Sequence, residues 1–329
     1  MSQPAPLAPP RGAGRLIFLG KVLVSGLLLT VLFLRVDRAV FVRTLQALPL
    51  KLFLGCVGLY LLGYLISTVR WHRLLAAEGI RLPLWRLALV YFEGAFFNLF
   101  LPTLIGGDIV RGYAIYKITR GHDASIASIL VDRLSGFAAL VAIALVALGL
   151  VHGEIRDPQV AAMILGVAAA FVVMIAVLLN NRVKERASGL LRRIGLTRFQ
   201  AKLQGMVEAL HRYRGHRRAL GQALLLSALL QALIIVTYYW IGAGLNLGVP
   251  IAYFFLYVPL ITFVAMLPIS VAGLGVREGG TVFFFSKVGV DAATALSMSL
   301  AWFSLSLIVS SLGGLAFLVN THAAKRERG

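Results

Sequence analysis

Of the 329 residues, 59% are hydrophobic and only 14% charged, with a mean hydropathy of +0.87; this excludes a soluble domain and marks an integral membrane protein. The 32 basic against 13 acidic residues give +19, which in so apolar a chain reads as basic loops facing the cytoplasm and an anionic lipid surface, with no nucleic acid partner expected. A single cysteine, Cys56, excludes an internal disulfide.

In chain order, residues 1–15 form a Pro- and Gly-rich tail, expected to be disordered. Residues 16–34 read as a first helix with Lys21 reaching the interface, and 35–49 as an interfacial segment. Five further spans are expected at 50–69, 124–151, 160–179, 219–243 and 292–319, each of the length a bilayer needs. Between 182 and 218 the chain is strongly basic, with Leu203, Met206, Val207 and Leu210 at helical spacing, so an amphipathic helix on the membrane surface is expected there. That segment, the one from Arg70 to Arg86 and the 320–329 tail should be cytoplasmic, which puts both termini inside.

Two stretches repeat. Tyr91 to Arg111 (YFEGAFFNLFLPTLIGGDIVR) and Tyr257 to Arg277 (YVPLITFVAMLPISVAGLGVR) share the frame Y-x5-F-x3-L-P-x4-G-x3-R. Each places an apolar run before a proline, a glycine-rich turn and an arginine, the pattern of a broken membrane helix that lines a cavity. The breaks fall at Pro102, Gly106 and Gly107 and at Pro268, Gly273 and Gly275. Counting faces, residues 87–122 enter and return from the inside and 251–290 from the outside. The expected fold is therefore an all-α polytopic protein of about six spanning helices plus two re-entrant broken-helix hairpins in an inverted repeat. Repeat 1 covers 50–151, the connecting helix and basic loop 152–218, and repeat 2 219–319.

Charges inside apolar runs are costly and need a reason. They are Glu93 in the first broken arm, Asp108 and Arg111 at i,i+3 spacing after the first break, Asp132 and Arg133 in VDRLSG, and Arg277 and Glu278 after the second. Asp132 and Arg133 are adjacent, cannot face each other and must find partners elsewhere. Arg111 and Arg277 occupy the same place in inverted copies, so the sequence predicts that they converge near the midplane as an anion site, for which phosphate is the natural fit. Glu93 and Glu278 would balance these arginines or carry protons, and Asn98 would either bond across the break or read a headgroup. Scattered histidines and the absence of Walker A, GxSxG and HExxH patterns point to no metal, no cofactor and no enzymatic chemistry.

The runs NLFLPTLIGGDIVRGYAIYK, VDRLSG and LPISVAGLGVREGG resemble signature segments of the lysylphosphatidylglycerol synthase transmembrane-domain family, the membrane half of bacterial aminoacyl-phosphatidylglycerol synthase/flippases. The resemblance implies a membrane domain that moves modified phospholipid between leaflets while a separate soluble domain attaches the amino acid. No such domain follows here, so a stand-alone lipid translocator in a bacterial cytoplasmic membrane is expected, its substrate anionic or phosphate-bearing. A homo-oligomer, or a partner synthase or glycosyltransferase, fits the same resemblance. Two other readings stay open: a non-transporting partner of a synthase or glycosyltransferase, and an ion-coupled organic-anion carrier. The motif positions carried over are Asn98, Pro102, Gly106, Gly107, Asp108, Arg111, Asp132, Arg133, Gly273, Gly275, Arg277 and Glu278.

Overall fold

A computed structural model describes residues 23, 46, 48–100, 106–119, 122–150, 158–179, 207–208, 211–266, 270 and 273–326. The expected first helix (Leu23 apart), most of the interfacial segment, most of the amphipathic loop, and both break prolines, Pro102 and Pro268, lie outside these residues. In chain order the helices are α1 (Leu50–Ala77), α2 (Leu84–Phe100), α3 (Gly106–Thr119), α4 (His122–Leu150), α5 (Pro158–Leu179), α6 (Arg217–Gly244), α7 (Ile251–Met266), α8 (Val276–Ser286) and α9 (Ala292–Arg326). No strand occurs among the described residues. Five of the helices, α1, α4, α5, α6 and α9, are long and apolar enough to cross a membrane.

The remaining helices are too short to cross alone. With 17, 14, 16 and 11 residues, α2, α3, α7 and α8 reach from about 26 Å down to about 16 Å at 1.5 Å per residue, against a hydrocarbon core of about 30 Å. Each half of the chain thus runs long helix, two short helices, long helix. In the first hairpin Asn98 meets Gly107 and Gly94 meets Arg111, so α2 and α3 are antiparallel. In the second, Gly273 meets Ala265, Gly280 meets Ile261, and Phe254 and Tyr257 pack on Phe284 and Phe285.

The two halves meet along α1 and α6, and side-chain register gives the direction of these helices. Along the α1–α6 interface Leu52 meets Gly244, Gly55 meets Trp240, Gly63 meets Leu230 and Arg70 meets Ser227, so the lead helices of the two halves are antiparallel. Contacts are also exchanged reciprocally: α2 of the first half packs on α9 of the second, and α7 of the second on α4 of the first. At the first exchange Gly313 and Gly314 lie against Phe92 and Phe96, with no room for a side chain. The main core lies largely around α6 and α7, where Tyr238, Phe254, Tyr257 and Phe285 are buried together.

Two boundaries differ from expectation. Helix α1 continues to Ala77, because Trp71, Leu74 and Leu75 carry its buried face past the point where charge begins; Arg70 is therefore a buried helical residue and not the start of a loop. Helix α9 runs through Arg326, so much of the expected tail is helical. Its start is capped by Asp291, whose Oδ1 accepts the Thr294 amide at 2.9 Å. Burial pushes this carboxyl up, but the Thr294 hydrogen bonds outweigh it and hold the group below the usual carboxylate range. Asp291→Ala should cost about 1 kcal/mol at neutral pH. A lowered carboxyl stabilises above its unfolded pKa and loses that contribution as pH falls through the folded one. Wild-type and variant melting temperatures should accordingly converge in acid.

Candidate functional site

The polar residues of the first half assemble into one buried network where α1, α3, α4 and α6 meet. Asp132 on α4 takes Arg70 Nε on one oxygen at 2.6 Å and Arg111 Nη2 on the other at 3.2 Å. Arg111 also reaches Asp108 Oδ1 at 3.3 Å, and the other oxygen of Asp108 accepts Nε of Arg133. The order is Arg70, Asp132, Arg111, Asp108, Arg133: alternating charges, each aspartate shared by two arginines. Hydroxyls close the far end, with Arg70 Nη1 donating to Ser227 Oγ at 2.8 Å and Ser227 to Ser135 at 3.1 Å. Sharing is what makes burial of five charges tolerable, since an unpaired charge in a low-dielectric interior is penalised heavily.

Arg111 is held most tightly. Its guanidinium lies between the rings of Trp71 and Tyr91, 4.2 Å from each centroid, and Trp71 is itself fixed by its indole N–H to Ser128 Oγ at 3.1 Å. The Arg111 Nε is buried without a hydrogen-bond partner among the described residues. Arg133, with 29% of its side chain exposed, is the open end of the network.

A cavity of about 300 Å³ opens onto this network. Arg70, Arg111, Arg133, Asp108, Asp132 and Asn98 lie on its polar wall; Tyr60, Tyr64, Tyr91 and Trp302 form an aromatic wall, and Gln231, Thr237 and Thr262 add single polar groups from the second half. Gln231 donates to the Gly136 carbonyl at 3.4 Å while its Oε1 is buried without a partner among the described residues. Two unsatisfied polar atoms, a donor on Arg111 and an acceptor on Gln231, thus belong to residues of one cavity wall. Buried polar groups are nearly always paired, so such atoms mark a place where water or a ligand completes the set.

The break residues do local work. Asn98 Oδ1 accepts the Gly107 amide at 2.7 Å, capping the first turn of α3, so it bonds across the break and lines the cavity as well. Gly106 and Gly107 are buried at that turn, where α3 crosses α2 at Gly94. In the second half Gly273 and Gly275 both have positive φ, +74° and +81°, a backbone only glycine takes readily, and they lead directly into α8. Glu278 is fully buried there: it accepts the Gly275 amide at 2.6 Å and the Ser299 hydroxyl at 3.3 Å, and pairs with Arg277.

The expected convergence of Arg111 and Arg277 does not occur on this wall. Arg277 and Glu278 pair with each other, with Arg277 over the Phe303 ring at 5.0 Å, and neither is among the residues lining the cavity. The physical reason is the carboxylate at hand: Glu278 follows Arg277 and caps the same turn, so the pair closes on itself. Glu93 is buried on α2 and likewise does not line the cavity. Asp132 and Arg133 do find their partners on other residues, and Asp108 with Arg111 forms the i,i+3 pair. Arg70, Gln231 and Ser227 were not singled out from sequence. The available signal was an isolated polar residue in an apolar run, as in LISTVRW and SALLQALII.

A family profile, the lysylphosphatidylglycerol synthase transmembrane region, matches residues 18–314. A UPF0104 membrane protein of Pyrococcus horikoshii is 26% identical over 311 residues, covering 85% of this chain and 90% of the relative. The matched span takes in both hairpins, the VDRLSG charges and every described residue of the cavity wall. The chain therefore belongs to the lysylphosphatidylglycerol synthase transmembrane-region family.

Proposed function

We propose that this protein moves a phosphate-bearing lipid between the two leaflets of the membrane, the headgroup passing through the polar cavity. The observation that carries the reading is a cavity inside an apolar bundle lined by Arg70, Arg111 and Arg133, with Arg133 the most exposed of the three. A guanidinium there suits a phosphate oxygen, and the unpartnered Arg111 Nε adds a second donor. Gln231 Oε1 would accept from a hydroxyl or amine on the headgroup. Two broken hairpins entering from opposite faces supply halves that can rock about such a site. Family membership supports a lipid-related role. The basic segments support cytoplasmic termini, and no chemical step is required of any residue in the cavity.

The test is transbilayer movement of fluorescent phosphatidylglycerol in proteoliposomes, comparing wild type with Arg133→Gln. Arg133→Gln should remain monodisperse, because Asp108 keeps Arg111 as its partner, yet slow movement about tenfold or more, equivalent to about 1.4 kcal/mol. Equal rates would remove Arg133 from the site. Absence of lipid movement in wild type, together with uptake of soluble glycerol phosphate, would favour an organic-anion carrier instead.

A further inference from the structure

A second opening lies on the other side of α7. Between α5, α7 and α8 there is a groove of about 560 Å³, its walls wholly apolar: Met163 and Val167 from α5, Leu260 and Phe263 from α7, Phe283 from α8. Glycines widen it. A Cβ on Gly166 or Gly279 would meet nothing within 4 Å, and one on Gly280 would make only ordinary contact with Ile261, at 3.7 Å and beyond. Glycine inside a helix is destabilising relative to residues with a side chain, and it is usually explained by close helix approach. At Gly166 and Gly279 there is no close approach. What their missing side chains provide is the width of the groove.

Groove and polar cavity share one partition. Phe263 lines the groove, and its ring stacks on Phe137, which lines the cavity, at 5.7 Å between centroids and 23° between planes. On the same helix Thr262 and Met266 face the cavity while Leu260 and Val264 face the groove. Helix α7 therefore separates a charged compartment from a hydrocarbon one, with the stacked rings of Phe137 and Phe263 at the contact.

We infer that the α5–α7–α8 groove holds a hydrocarbon chain of the lipid whose headgroup occupies the polar cavity, with the Phe137–Phe263 pair as the partition between the two. This rests on the lipid reading above and adds where the tail is held. The occupant follows from the walls, which offer no polar partner to any ligand and so suit hydrocarbon, and from the groove's position next to the headgroup cavity across the Phe137–Phe263 pair. A chain seated there would keep the lipid oriented while its headgroup crosses, so filling the groove should impair movement without touching the charged network.

The experiment has two arms. In the first, phosphatidylglycerol carrying a photoreactive diazirine in one acyl chain is reconstituted with wild-type protein, irradiated, and the adducts mapped. Label should concentrate on Met163 and Phe283 over Leu225 of the larger apolar groove against α4, α6 and α7. In the second, Gly279→Leu, and Gly166→Leu on the opposite wall, should each slow transbilayer movement about tenfold and reduce that label. Gly58→Leu, where a Cβ likewise meets nothing within 4 Å, should behave as wild type. Label at Met163 and Phe283 no denser than at Leu225 would overturn the inference, as would wild-type rates in both groove-filling variants. Wild type that moves no lipid would count against the translocator reading, and the labelling arm would still decide whether a chain sits in the groove.

Discussion

Asp132→Ala is expected to prevent accumulation of folded protein. The carboxylate is buried and shared: Arg70 holds one oxygen and Arg111 the other, with both guanidiniums almost fully out of solvent. Removing one partner of a buried ion pair typically costs about 3–5 kcal/mol, because the remaining charge is left desolvated and unpaired. Here one substitution takes the carboxylate from Arg70 and one of two from Arg111. Total stabilities of about 5–15 kcal/mol leave little margin for that loss. Arg70 retains only Ser227 Oγ, a neutral acceptor, and Arg111 retains Asp108 and its two rings. Size-exclusion profiles of a fluorescent fusion, with and without heating, would measure the effect. A monodisperse peak with wild-type melting behaviour would show that water already solvates the network. Removing the stranded charge in the same chain, as in Arg70→Met with Asp132→Asn, should recover part of the peak.

Gly107→Ala should come second in size, through sterics alone. A Cβ at this position falls on the Gly94 carbonyl oxygen and 2.6 Å from Asn98 Nδ2. The first obstacle is backbone of α2 and cannot swing aside, so α3 must move away from α2. Overpacking of this kind costs about 1–3 kcal/mol, and an immovable obstacle puts the cost at the upper end. The shift also reaches the cavity, since Gly107 precedes Asp108 and its amide is capped by Asn98. Lower melting temperature and slower lipid movement should therefore appear together in Gly107→Ala. Arg133→Gln should instead lose movement alone, which separates damage to the frame from damage to the site. A variant with both properties unchanged would mean that the two helices already stand further apart.

Much of the candidate site was legible as costly residues in apolar runs, but their grouping was not. Asp108, Arg111, Asp132 and Arg133 stand out because insertion into lipid penalises charge, whatever the fold. Arg70 escaped notice because it sits where apolar sequence gives way to basic sequence, and only burial of Trp71, Leu74 and Leu75 against neighbouring helices carries α1 beyond it. Asn98 left two roles open from sequence. The structure assigns it the Gly107 amide and also a place on the cavity wall. Arg277 shows the opposite outcome: its position in the repeat matches Arg111, but its immediate neighbour does not. Repeat symmetry predicts where a residue's backbone lies, while the nearest opposite charge decides where its side chain goes.

By itself the amino-acid sequence determined that this is an all-α polytopic membrane protein and pointed to two broken-helix units. Hydropathy, the proline and glycine breaks and the distribution of basic residues each follow from local physics: backbone groups must be satisfied in lipid, and charges sort by face. Only the tertiary structure decided that α1 and α6 run antiparallel at the interface of the halves, that five charges from three helices share one network, and that α7 divides a polar cavity from an apolar groove. Those features depend on side chains brought together from distant positions, such as Arg70 with Asp132 and Phe137 with Phe263. Helix-to-helix register sets such meetings, and register follows from packing glycines and aromatics at contacts that no local pattern in the chain specifies.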